Sequence, residues 1–149
     1  MKPMMLLFAF TLMSFIAGAQ SEDNVFQDVT EVMKSAAESE MNILMVFGGS
    51  DWCRPCIQYK KEILESDEFL AFSKDNLAIL YLDFPAKKKN KLSAEQTAHN
   101  ESLAEKYNPA GIFPKILIFD PYENILGEIK YTNQLPKDFI SQCQNLLNQ

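Results

Sequence analysis

Cysteine is scarce in this chain: three in 149 residues, an odd number and too few to staple a fold together. A disulfide scaffold is thereby excluded, and at least one thiol is unpaired or bonded to another chain. Positive charge is also short, with 14 Lys and Arg against 20 Asp and Glu, a formal charge of -6. Nucleic-acid binders work through clustered cations, and anionic membrane surfaces attract the same groups, so the balance argues against both partners. The five glycines form no nucleotide-cradling pattern. What remains is an ordinary globular composition, 47% hydrophobic and 23% charged, on a length suited to one domain.

A long apolar run is missing as well. Residues 4–17 are uncharged and follow the basic start Met1-Lys2, but they fall short of the roughly 20 apolar residues that cross a bilayer. With Ala17-Gly18-Ala19 behind them, they read as a secretory signal peptide cut after Ala19, in preference to an uncleaved anchor. No cysteine follows the run to carry a lipid. The expected organisation is a signal peptide at 1–19 and one domain at 20–149, in a periplasmic or secreted protein with no stable membrane insertion after cleavage. A domain of that length buries about two thirds of its unfolded surface and needs no disulfide to hold its core.

Within the domain, apolar residues recur at spacings of three and four over residues 23–40, predicting a helix. Residues 43–47 (ILMVF) form a continuous apolar run closed by Gly48-Gly49, the pattern of a strand buried on both faces. A helix is predicted over 54–65, a short helical turn over 68–72, a second buried strand over 77–83 and a lysine-rich loop over 84–93. A helix over 94–107 has Ser93 as its N-cap. Strands at 115–120 and 125–131 flank the turn residues Pro121-Tyr122-Glu123-Asn124, and a last amphipathic helix covers 136–147. Strands alternating with helices imply parallel crossovers, and the terminal hairpin adds an antiparallel edge. The fold class is therefore α/β, a central mixed sheet with helices on both faces.

The chemistry concentrates in Trp52-Cys53-Arg54-Pro55-Cys56, between a buried strand and a helix. Cys53 falls at the helix N-terminus, where unpaired N–H groups and the positive dipole end favour a thiolate. Arg54 adds a positive charge beside it. Pro55 suits the first turn, where its missing N–H costs nothing. Cys56 returns to the same face, within reach of a disulfide. An attacking thiol works best with a pKa near ambient pH, so this placement suits thiol–disulfide exchange. A purely structural bridge and half of a zinc site are the alternatives; for zinc, only Cys143 and His99 remain as further Cys or His ligands, without a second paired motif.

The sequence resembles the thioredoxin superfamily, in its secreted thioredoxin-like branch, from about Val25 to Leu147. Gly49-Ser50-Asp51-Trp52-Cys53-Arg54-Pro55-Cys56 and Gly111-Ile112-Phe113-Pro114 carry the resemblance. It implies a thioredoxin fold in which Pro114 is cis and packs against the cysteine pair, while Phe113 offers backbone groups to the substrate. It also implies a thiol–disulfide oxidoreductase with Cys53 and Cys56 catalytic, and Trp52, Arg54, Pro55, Phe113 and Pro114 supporting. Protein disulfides or dithiols would be the substrates, more in the reductive direction, with a membrane-bound partner recycling the pair. No organic cofactor and no metal are needed. The alternative is a non-catalytic module that keeps the fold as a docking surface.

Three positions depart from the family pattern. Phe47 stands where a buried Asp usually accepts a proton from the second cysteine, which leaves Asp51 and Glu62 as candidate acceptors. Lys115 replaces the usual Thr after the cis proline and would add positive potential, and Arg-Pro replaces Gly-Pro between the cysteines. Elsewhere, Cys143 is expected as a buried inert thiol, His99 as a solvated mid-helix residue, and Lys87, Lys88, Lys89 and Lys91 as a solvated loop able to dock an acidic partner.

Overall fold

The computed structural model describes residues 25–149; the expected signal peptide lies outside them. Five strands form one mixed sheet in the order β1-β3-β2-β4-β5: β1 (Val25–Phe26), β2 (Asn42–Gly48), β3 (Leu77–Asp83), β4 (Lys115–Phe119) and β5 (Ile125–Ile129). β1 and β2 both run parallel to β3, while β4 is antiparallel to β2 and to β5. Helices cover both faces, as expected: α1 (Val29–Ser39) and α4 (Ala94–Tyr107) on one, α2 (Arg54–Tyr59), α3 (Asp67–Asn76) and α5 (Pro136–Leu147) on the other. α2 continues through a π-helical turn, Lys60–Leu64.

Side-chain alternation along the central strands builds two cores. Leu44, Val46, Leu77, Ile79, Ile116 and Ile118 point to the α3 and α5 side. Ile43, Met45, Phe47, Leu80, Leu82 and Leu117 point to the α1 and α4 side. Because both faces are buried, β2 and β3 read in sequence as unbroken apolar runs.

Three elements differ from expectation. The first helix starts at Val29 and not at 23, because Asp28 adopts extended backbone and its carboxylate accepts the Thr30 and Glu31 amides. Val25 and Phe26 instead pair with Ile79 and Leu80, giving the sheet an edge strand that a two-residue pattern cannot announce. α3 is twice the expected turn: Ser66 caps it by accepting from the Phe69 amide, and it runs until β3 begins.

Candidate active site

The end of β2, the end of β3 and the start of β4 meet at one edge of the sheet, and the cysteine motif hangs there. After Gly48 the chain turns through Gly49, Ser50, Asp51 and Trp52 into Cys53, the N-cap of α2. Cys53 Sγ accepts the Cys56 amide at 3.3 Å. Cys53 and Cys56 are joined as a disulfide with their Cα atoms 5.3 Å apart. Cys53 is 5% exposed and Cys56 1%, so the first sulfur-bearing residue faces solvent more than the second. Arg54 and Pro55 are exposed on the outer side of the turn.

Hydrogen bonds fasten this turn to the loop that follows β3. Ser50 donates its amide and hydroxyl to the two Asp83 carboxylate oxygens, at 2.8 and 2.6 Å. The Trp52 indole N–H donates to the Phe84 carbonyl at 2.7 Å. Asp51 accepts the amides of Ala86 (2.9 Å) and Lys87 (3.0 Å) and the Asn90 side-chain amide (2.8 Å). The Ala86 N–H above all holds the Asp51 carboxyl below the usual carboxylate range. Gly49 is required by this packing, since a Cβ there would overlap the Trp52 indole.

Trp52, half exposed, meets the Phe113 ring edge-on at 5.4 Å between centroids. Phe113 in turn meets Phe84 at 5.4 Å, and Phe84 stacks on Phe47 at 6.3 Å. An aromatic file thus runs from the surface beside the disulfide into the core, and Phe47, where the family pattern has an acid, is its fully buried end. The Phe113–Pro114 peptide is cis, as the resemblance implies.

The two candidate proton acceptors have other partners. Asp51 organises the loop described above. Glu62 accepts the Tyr131 hydroxyl at 2.7 Å, and burial together with that bond pushes Tyr131 up to about 12. Below Cys56, on the same helical face one turn on, lies fully buried Tyr59; burial raises its hydroxyl well above the ordinary range and pushes Tyr81 up to about 12. Neither hydroxyl has a hydrogen-bond partner among the described residues.

Two expectations are corrected here. Lys115 does not lend a free charge to the thiolate, because it is paired with Glu128 across the β4–β5 ladder at 2.6 Å. His99 is not solvated. Its side chain is 18% exposed, with Nε2 accepting the Val29 amide at 3.0 Å and Nδ1 3.1 Å from the Asn100 side-chain oxygen. It fastens α4 to the start of α1.

Asn108, which sequence reasoning passed over, holds the segment leading to the cis proline. It is buried, donates to the Ile112 carbonyl at 2.8 Å and accepts the Ile112 amide at 2.9 Å. The Asn-Pro dipeptide at 108–109 is the turn signal that could have found it. Asn100, also buried, donates to the Asp83 carbonyl at 2.8 Å and steadies the other side of the site.

A disulfide-bonded pair of cysteines three positions apart at a helix start, with a cis-proline loop on a five-stranded mixed sheet, defines a thiol–disulfide oxidoreductase of thioredoxin fold. The chain belongs to the thioredoxin-like family, whose model matches residues 24–121. It is 33% identical over 122 residues to the disulfide bond reductase DsbH of Chlamydia pneumoniae, covering 82% of this chain and 72% of that protein. A solved DsbH oxidoreductase superposes with a TM-score of 0.75 at 27% identity, over 83% of both chains. A thioredoxin from Thermus thermophilus matches in fold at TM-score 0.60 and 11% identity, over 80% of this chain and 84% of that one.

Proposed function

We propose that this protein is exported and reduces disulfides in client proteins through Cys53 and Cys56. The observation that carries the reading is the pair itself, joined at the start of α2 with Cys53 the more exposed member. In the reduced enzyme, the Cys53 thiolate attacks a client disulfide. One client sulfur leaves as a thiolate and a mixed disulfide forms. Cys56 loses its proton and attacks the Cys53 sulfur, the second client sulfur leaves, and the client has gained the two electrons that the pair has lost. The reverse sequence oxidises a client. Attack by Cys56 from one helical turn away proceeds at high effective concentration.

Trp52, Arg54 and Pro55 surround the exchanging sulfur, and the backbone at Phe113-Pro114 receives the client segment. The name of the DsbH relative supports the reductive direction. Electrons return to the pair from a membrane-bound donor. Residues 1–19 act as the export signal, so the exported protein begins at Gln20, which intact mass measures; a species retaining residues 4–17 is the contrary result.

Replacing Cys56 by Ser removes the resolving thiol and leaves Cys53 nucleophilic. Clients should then accumulate covalently on Cys53 and be released by reductant, whereas Cys53→Ser traps few. A docking module would hold its partner noncovalently in either variant. Absence of any trapped client, together with no turnover of a model disulfide by the wild type, sinks the catalytic reading.

A further inference from the structure

Lys87, Lys88, Lys89 and Lys91 follow β3 on a chain whose charge is otherwise acidic. All four are exposed, and none forms an ion pair among the described residues. A solvated loop would explain exposure alone, but this loop is built. Asp51 takes the Ala86 and Lys87 amides and the Asn90 side chain, Phe84 donates its amide to the Gly48 carbonyl at 2.8 Å, and residues Lys88–Asn90 close a 3-10 turn. The Asp51 carboxylate is thus committed to holding the loop, with the Lys87 charge near it, while Lys88, Lys89 and Lys91 extend into solvent without an ion pair among the described residues.

Beneath them is a cavity of about 330 Å³ with Phe84, Pro85 and Leu92 on its apolar lining and Lys87, Lys88 and Lys91 among its polar groups. Two carboxylates also line it. Asp83 accepts from Ser50 with both oxygens, which turns them toward the cysteine turn but leaves their charge, and Glu101 is an exposed residue of α4, so three lysines face two carboxylates and the lining is net positive by one. The cavity is coupled to the disulfide through short links: Asp51 lies two residues before Cys53, and the Trp52 indole is bonded to Phe84.

We propose that this lysine-rimmed cavity is a specificity subsite for an acidic side chain flanking the target disulfide in a protein client. The proposal deepens the function proposed above and rests on it. A client segment held at Cys53 carries its neighbouring residues past Trp52 and over the loop. There, an Asp or Glu places its methylene groups on Phe84, Pro85 and Leu92 and its carboxylate among the three ammonium groups. Nucleic acid is the poorer occupant, because the surrounding chain is acidic and repels a polyanion.

The test uses two peptides with one disulfide loop in common, flanked by Asp residues in one and by Lys residues in the other. Wild type and the charge-reversed variant K87E/K88E/K91E are compared by the ratio of kcat/KM for the two peptides. Exposed ion pairs are individually weak, so three acting together should favour the acidic peptide by roughly tenfold at low ionic strength, with the preference shrinking as salt is added. The reversed variant should favour the basic peptide. A ratio near one in the wild type, or one that survives charge reversal, overturns the subsite. Turnover of uncharged hydroxyethyl disulfide by the wild type reports the oxidoreductase reading separately. If that turnover is absent, binding of the S-alkylated acidic peptide decides: weaker binding to the reversed variant supports the subsite, and equal binding overturns it.

Discussion

Cys143 carries a buried thiol on α5, fully inaccessible and packed in the core with Tyr59 and Phe139. Burial pushes it up to about 12 from 9.0. In the unfolded chain the thiol ionises near its ordinary value, so the fold alone keeps the proton as pH rises. The associated stability is complete below about pH 9 and is lost progressively up to about pH 12. Between about pH 8 and about pH 10.5, urea unfolding should show the wild type losing about 2 kcal/mol more than Cys143→Ala. Tyr59 and Tyr81 titrate in the same direction but remain in both proteins, so equal slopes would refute the assignment to Cys143. The burial of Cys143 was legible because Phe139, Ile140, Leu146 and Leu147 mark the same helical face. His99 was not, because the amide it accepts is 70 residues away in sequence and no local pattern names such a partner.

At the scale of elements, the site depends on how firmly three loops are tied. Asn108→Ala removes both side-chain bonds to Ile112 and frees the loop that ends in Phe113 and Pro114. The expected cost is about 1–3 kcal/mol in denaturant unfolding, with slower exchange of a model disulfide. Unchanged stability and rate would show that Pro114 is held without it. Where boundary signals are local, the elements were fully legible. α4 starts behind the Ser93 cap, α5 has Pro136 in its first turn, and both end where expected. β3 was equally plain as an apolar run. The disulfide within Trp52-Cys53-Arg54-Pro55-Cys56 was legible because the cysteine spacing is local, and the cis Phe113-Pro114 peptide was legible through the family resemblance. The scaffolding of the site was not: the Ser50–Asp83 and Asp51–Ala86 bonds join segments more than 30 residues apart.

On the scale of the whole molecule, the sheet order places the two parallel strand ends, β2 and β3, beside the start of antiparallel β4, so the disulfide turn and the cis-proline segment gather at one rim. The apolar strands beneath it are sealed on both faces, and α5 approaches β5 so closely that a Cβ on Gly127 would strike Leu146. Rigidity below and exposure above leave one chromophore in a telling position. Trp52 is the chain's single tryptophan and adjoins Cys53 in sequence. A disulfide accepts an electron from an excited indole and quenches its emission, whereas a dithiol does not. Opening the Cys53–Cys56 bond should therefore brighten the protein, with no competing tryptophan to dilute the signal. Excited at wavelengths where tyrosine does not absorb, the molecule reports its own oxidation state, and a titration against a glutathione buffer would read its redox poise optically, without a label or a client.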